Sequence, residues 1–384
     1  MAEAAMRPRS LFALTAVLAA CSADRITGPS SPDVAVARSV TAPAGPLTVV
    51  SRNMYIGAPV EPILAETDPN LVPVRVAEAW AVLQATDFPT RAKAMADEIA
   101  RTRPHLVGLQ EVELIRSQFP SDIVVAPPAV PNPLPNATTV EFDFLTTLLA
   151  ELAARGLEYE VAATVQDIDV EVPRFDGVVG GIPLFTDIRL TDRDVILARA
   201  GVAVANAASG NYAAMLPAPA GIQVPRGWTA VDATVGGVTY RFVNTHFESD
   251  AEIIRFLQAQ ELMAILSAET GPVVLVGDLN SGPGRPAEDG GQATYDFVLS
   301  NGFADAWDAH PRSGDGFTCC NAGDLSNLTP EFDQRIDLVL VRGDGILPLQ
   351  VTIVGNQVNE RRRFGVWPSD HAGVAASFVL APTP

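Results

Sequence analysis

Residues 273 to 284 read VVLVGDLNSGPG. Four apolar residues, Val273 to Val276, run into Gly277. A carboxylate, Asp278, and an amide, Asn280, then stand two apart at the mouth of a loop rich in Gly and Pro. An apolar run of this length without polar alternation is the pattern of a strand buried on both faces. Strand periodicity puts positions 278 and 280 on one face. Asp and Asn also close strands simply because they bond their own backbone in turns. The segment therefore fixes a buried strand and leaves the role of its polar end to the rest of the chain.

Working outward, candidate strands are 47–53, 105–111, 158–165, 193–199, 229–235, 238–245, 273–278, 335–342 and 373–379. Candidate helices are 88–102, 140–155, 250–268 and 292–301. In 250–268 apolar residues stand at 253, 254, 257, 262, 265 and 266, a helical period. The 88–102 segment stops before Pro104, as a helix should. IDLVLV (336–341) is apolar but for Asp337, whereas TYRFVNTHF (239–247) alternates. Such a mixture indicates an α/β fold with two sheets packed face to face and helices outside. There is no internal repeat and no second domain boundary. The stretch 126–137 (APPAVPNPLPNA) reads as a Pro-rich surface insertion.

The polar residues gather where these strands meet loops. LTVVSRNM carries Asn53, HLVGLQEVE carries Gln110 and Glu111, and YRFVNTHFES carries Asn244 and His246. VVLVGDLN carries Asp278 and Asn280, RIDLVLV opens with Arg335 and Asp337, and PSDHAGV holds Ser369, Asp370 and His371. Two of the chain's four histidines fall in these segments. His105 and His310, each next to a proline, read as bystanders.

Taken in order, NM, QE, NTHFE, GDLN, RIDLVL and SDH resemble the motifs of the endonuclease/exonuclease/phosphatase superfamily. That group includes deoxyribonucleases, abasic-site endonucleases, bacterial sphingomyelinases and inositol-polyphosphate 5-phosphatases. The resemblance covers roughly residues 47 to 380. It implies a four-layer sandwich of two packed mixed β-sheets flanked by helices, with 47–384 as the catalytic domain. It further implies a phosphodiesterase whose substrate is a phospholipid, a nucleic acid or a small phosphodiester.

Phosphoryl transfer needs a metal, an activated water, donors for the equatorial oxygens and help for the leaving group. Mg²⁺ (or Mn²⁺ or Ca²⁺) takes hard oxygen ligands and needs only one or two carboxylates. Glu111 is the candidate direct ligand, and Asn53 and Asp370 complete the site directly or through water. By resemblance, Asp278 orients or deprotonates the attacking water, and Asn280 donates its amide to a phosphate oxygen or to that aspartate. An Asn cannot ionise, so the pair holds one negative charge. His371 donates to a phosphate oxygen as charge builds, with a neighbouring carboxylate to fix its tautomer and raise its pKa. Asp337 matches the family's orienting aspartate, and His246 is a second phosphate-binding imidazole. Asn244 is a candidate substrate-binding residue that supports either histidine, or else a sheet-edge residue.

Charge and the N-terminus bear on partners. The formal net charge is −19 over 384 residues, and Lys93 is the only lysine. An acidic surface disfavours sequence-independent nucleic-acid binding, although a bound cation can reverse the local charge. Arg361, Arg362 and Arg363 form the one basic run and read as a solvated surface. In TDRDVILAR (191–199), Asp192, Arg193 and Asp194 read as an ion-paired strand entry.

Arg7 and Arg9 precede a short apolar run, Leu11 to Ala20, and then Cys21. The run is too short to span a bilayer and suits a signal peptide, 1–20. LAA before Cys21 resembles a bacterial lipobox, which implies a lipidated Cys21, a tether over 21–46 and a membrane-anchored, exported monomer. Ser22 after the cysteine points to the outer membrane or cell surface; a simple secretory signal is the alternative.

Cys319 and Cys320 are adjacent. A vicinal disulfide is strained, since neighbouring Cα atoms sit about 3.8 Å apart, below the usual range for a bridge. As a metal signal the pair by itself is poor, so it reads as part of a rigid loop. Among other classes, a serine hydrolase lacks its G-x-S-x-G elbow, and four dispersed histidines do not make a zinc hydrolase. A non-catalytic cell-surface binding module is the competing reading, opposed by the intact polar set.

Overall fold

The computed structural model describes residues 46–123, 135–217, 223–286, 291–310, 314–362 and 365–380. The expectations for the signal peptide, Cys21, nearly all of the tether and most of the Pro-rich insertion lie outside the described residues.

The chain runs β1 (Leu47–Asn53), α1 (Glu61–Leu64), α2 (Val72–Ala85), α3 (Phe88–Thr102), β2 (Leu106–Gln110), β3 (Leu114–Gln118), β4 (Thr139–Asp143), α4 (Phe144–Ala153), β5 (Tyr159–Val179) and β6 (Ile182–Arg199). It continues through β7 (Ala203–Asn211), β8 (Leu216–Pro217), β9 (Gln223–Val224), β10 (Gly227–Val235), β11 (Val238–His246), α5 (Glu252–Leu266), β12 (Val273–Asp278), α6 (Ala293–Ser300), β13 (Ala304–Asp305), β14 (Asp337–Arg342), β15 (Ile346–Val354) and β16 (Gly373–Leu380). One sheet has the order β15-β16-β1-β2-β6-β3-β4, with β5 paired to β6; the other has the order β13-β14-β12-β11-β10-β7. Both are mixed: β1–β2 and β11–β12 are parallel, and their other neighbours run antiparallel.

Strand alternation builds the layers. In β1, Leu47 and Val49 enter the core between the sheets, and Val50 faces the helices. In β12, Val274 and Val276 point into that same inter-sheet core, while Val273 and Leu275 pack outward with Leu262 and Leu266 of α5 and Val298 of α6. This is why VVLV shows no polar alternation: both faces are buried. Helices α3 and α4 cover the first sheet with Phe88, Met95, Ile99, Phe144 and Leu148. The result is the four-layer sandwich, two mixed sheets flanked by helices.

Gly108 of β2 lets the sheets approach closely. A Cβ there would lie 2.4 Å from Val276 Cγ2 and 2.7 Å from Asn244 Oδ1.

Several boundaries differ from expectation. The strands expected at 158–165 and 193–199 are the roots of a long two-stranded ribbon, β5–β6, that turns at Gly180 and Gly181. The helix expected from 140 begins at Phe144, because Asp143 caps it by accepting from the Thr146 N–H. Strand β15 was hidden by Pro348, which sits at a register shift on an edge strand, where a sheet tolerates proline.

Candidate active site

The two parallel pairs point the same way, so the ends of β1, β2, β11 and β12 share one rim of the sandwich. In the second sheet His246 pairs with Asp278, and Asp278 with Asp337, so three polar residues stand side by side on adjacent strands. Across from them Asn53 pairs with Gln110, and Glu111 follows. Asn53 spans the gap, its Nδ2 donating to Glu111 Oε1 at 2.9 Å and to Asp278 Oδ2 at 3.2 Å. Its own oxygen accepts from the Tyr55 N–H at 2.8 Å, and Glu111 Oε2 accepts from the Ile56 N–H at 2.8 Å. Asn53 thus orients Glu111, the candidate direct ligand.

The SDH segment is fastened to this rim by its backbone. Ser369 Oγ donates to the Asn53 carbonyl at 3.0 Å and accepts from the His371 N–H at 3.1 Å. Arg91, fully buried on α3, donates to the carbonyls of Met54, Tyr55 and Pro368. His371 Nδ1 donates to Asp337 Oδ2 at 2.8 Å and lies 3.7 Å from Asp278 Oδ2, which leaves Nε2 directed away from both carboxylates. Burial opposes charge on this ring, but Asp337, Asp278 and Asp370 outweigh it and hold the imidazole well above its ordinary pKa.

Asp278 is pushed up to about 6, by burial first and by Asp337 second, against the pull of His371. Burial likewise raises Asp370 to about 7, with Glu111 adding to it and His371 and Arg91 opposing. Glu111 and Asp370 offer hard oxygens whose mutual repulsion a divalent cation would relieve. One further oxygen, Asp337 Oδ1, is buried with no hydrogen-bond partner. These donors fit Mg²⁺, Mn²⁺ or Ca²⁺.

Three expectations change on the geometry. Positions 278 and 280 do not share a strand face, because β12 ends at Asp278 and Asn280 takes a left-handed φ of 48°. It is the Asn280 backbone N–H that donates to Asp278 Oδ1, at 2.9 Å; its side-chain amide donates to the Phe247 carbonyl, also at 2.9 Å. His246 is only 2% exposed. Its Nδ1 accepts from Arg226 Nη1 at 3.1 Å, which puts the ring proton on Nε2, 3.5 Å from Asp278 Oδ2. Burial, then Arg226 and His371, keep this imidazole neutral. It packs behind Asp278 instead of facing a phosphate. Asn244 is neither a substrate contact nor a sheet-edge residue. It is fully buried inside the second sheet, donates to the Leu109 and Val195 carbonyls at 3.0 and 3.4 Å, and accepts from Gln110 Nε2. It clips the two sheets together.

Sequence reasoning missed Arg91 and Arg226. Arg91 had a signal: one arginine on the apolar face that α3 builds from Phe88, Ala92, Met95 and Ile99. Arg226 had none, because it sits on a short connection and meets Asp192 (3.5 Å) and His246 only in the fold. Of the charged entry at 192–194, Asp192 and Arg193 are paired, with Arg226 and Asp143 (3.4 Å) respectively. Asp194 is fully buried with neither oxygen hydrogen-bonded. In the basic run, Arg361 bonds the Gly365 carbonyl and stacks over Trp367, and Arg362 pairs with Asp97; Arg363 is outside the described residues. A cleft of about 510 Å³ is lined by segments adjoining Asn280 and Asp337, among them Arg285, Trp307, Phe317 and Arg335.

A model of the Endonuclease/Exonuclease/phosphatase family matches residues 82–371. No curated protein matches the sequence. Similar solved structures include an endonuclease/exonuclease/phosphatase family protein from Leptotrichia buccalis, with 12% identity and a TM-score of 0.51 over 87% of this chain and 99% of that one. Another is the endonuclease/exonuclease/phosphatase from Bacteroides vulgatus, with 17% identity and a TM-score of 0.51 over 88% of this chain and 100% of that one. At these identities the likeness is one of fold.

Proposed function

The chain belongs to the endonuclease/exonuclease/phosphatase family, and from that premise we propose that it is a divalent-cation-dependent phosphodiesterase working at the cell envelope. The observation that carries the reading is the Asp278–Asp337–His371 cluster, whose ligand atoms lie within 4.8 Å of one another beside the Asn53–Glu111 pair.

In this reading Glu111 and Asp370 would hold the divalent cation, which would supply positive charge to offset that of the phosphate. The remaining work falls to the chain. Asp278 accepts the proton of the attacking water. Asn280 fixes one Asp278 oxygen through its backbone N–H, and Asn53 Nδ2 orients the other, which faces His246 and His371. His371, held protonated by Asp337, presents Nε2–H to a phosphate oxygen as charge accumulates. His246, kept neutral, supports Asp278 from behind without competing for its proton. The cleft with Trp307, Phe317 and Arg285 gives room for the part of the substrate beyond the phosphate.

The strongly acidic surface favours a phospholipid or a small phosphodiester over a nucleic acid. Envelope anchoring rests on the lipobox-like LAA before Cys21. The test is hydrolysis of bis(p-nitrophenyl) phosphate with Mg²⁺, Mn²⁺ or Ca²⁺, with and without EDTA, beside His371→Ala and Asp278→Asn. Cation-dependent turnover lost in both variants supports the reading. A folded protein inactive on this ester, on DNA, on sphingomyelin and on phosphoinositides would leave the binding module as the better account.

A further inference from the structure

Cys319 and Cys320 lie in the loop ahead of β14 and are joined to each other by a disulfide. Cys319 is 2% exposed, and its backbone bridges to His371 on one side and to Gln334 on the other. Cys320 is exposed, and its Sγ lies 4.0 Å from His371 Nε2. That nitrogen is the one left over once Nδ1 has gone to Asp337. Both sulfurs and a His371 ring nitrogen come within 4.8 Å of one another.

Sulfur has no task in hydrolysis assisted by a hard cation, which takes oxygen. Two thiolates and an imidazole are instead the donor set of a thiophilic ion. Zn–S bonds of about 2.3 Å and Zn–N bonds of about 2.0–2.1 Å put sulfur and nitrogen roughly 3.6 Å apart across a tetrahedral zinc. The observed 4.0 Å is near that spacing, whereas the two sulfurs, bonded to each other here, must part to a comparable spacing once the disulfide opens. A closed disulfide cannot supply both thiolates, so the donor set exists only in the reduced protein.

We propose that Cys319, Cys320 and His371 form a redox-gated site for Zn²⁺, and that filling it silences the hydrolytic centre. A dithiol reductant attacks the exposed Cys320 sulfur, the Cys319 sulfur leaves as thiolate and takes up a proton, and a mixed disulfide forms. The second reductant thiol displaces Cys320, so the reductant departs as its own cyclic disulfide. Two electrons and two protons have then passed to the protein. Zn²⁺ displaces the two thiol protons and the Nε2 proton, all three going to solvent, and water fills the fourth position. Nδ1 keeps its proton on Asp337. Nε2 is then unable to donate to a phosphate. The metal site stands on geometry alone; only its inhibitory consequence rests on the phosphodiesterase reading.

The test uses the full chain before and after dithiothreitol treatment and desalting. Thiol titration should show two additional thiols after reduction. Co²⁺, used as the probe, should bind once per reduced chain with a strong near-ultraviolet thiolate-to-cobalt band, and Zn²⁺ should bleach it. The unreduced protein and Cys320→Ser should lack the band; the unreduced protein serves as the control if the variant misfolds. Zn²⁺ should lower turnover of the reduced form on the order of 100-fold, as expected for loss of one charge-stabilising donor. A soft chelator should reverse that loss. Reduced protein with both thiols titratable but no cobalt–thiolate band overturns the proposal, as does the same band in unreduced protein. The band is read without turnover, so an inactive enzyme and an absent metal site give different results.

Discussion

Asp278 meets two demands that pull apart. As the proposed base it must be ionised to take a proton from water, yet burial and Asp337 push its pKa up to about 6. A base poised near neutrality serves catalysis better than an exposed aspartate. Asp278→Asn should lower kcat by about 10²–10⁴-fold, the usual worth of a positioned base. KM should change little and thermal stability should not fall, because a buried charge is removed; steady-state kinetics and calorimetry check this.

Asp194 is the counter-case, a buried carboxyl with no partner and no role in the proposed reaction. Burial, then Asp167 and Asp192, raise its pKa well above the ordinary value. The folded state holds its proton more tightly than the unfolded state. Its contribution to stability is therefore complete below the unfolded pKa of about 3.9 and is lost as pH rises through the folded value. Asp194→Asn should gain Tm over the parent as pH rises from 4 to 8, with little difference at the acid end. A gap that stays constant with pH would contradict this.

Between elements, the decisive contacts are those that join the sheets. Gly108 and Asn244 lie on different sheets and touch: one gives up its side chain so that the other can reach the Leu109 and Val195 carbonyls. Gly108→Ala should cost about 1–3 kcal/mol through overpacking against Val276 and Asn244, measured by urea unfolding. Asn244→Leu leaves those carbonyls and Gln110 without their partner and should cost a similar amount, about 1–3 kcal/mol. Neither should change KM, since Asn244 is fully buried; a raised KM with unchanged stability would return Asn244 to the substrate. Elements were legible where one local signal dominated. Both α3 and β12 match their expected bounds because Pro104 and the VVLV run left no alternative. The outer ribbon of β5 and β6 and the edge strand β15 were missed because partly exposed strands carry mixed polar and apolar residues.

For the whole molecule, the site depends on two sheets meeting at one rim. Glu111 comes from the first sheet and Asp278 from the second, and Asn53 holds both. A cation bound at Glu111 and Asp370 would stabilise only the folded chain, so Tm should rise with the logarithm of free Mg²⁺ once it exceeds Kd. Glu111→Gln should abolish that increase and the turnover together; a rise that survives the substitution would place the cation elsewhere. At the N-terminus, mass spectrometry should find a mature chain beginning at a lipid-modified Cys21, and an intact Met1 would sink the anchor.

The sequence by itself determined the sandwich, the family and the list of polar residues at strand ends. Those features are written in local apolar periodicity and in short motifs, which residue order preserves. Tertiary structure decided what each polar residue does. Asn244 and His246 sit two apart on one strand, yet Asn244 turned out to clip the sheets and His246 to back Asp278. The sulfur beside His371 and the Arg226 behind His246 were equally invisible. The physical reason is that a polar side chain's role depends on which partner satisfies it once water is excluded. Here those partners lie on strands tens to hundreds of residues away.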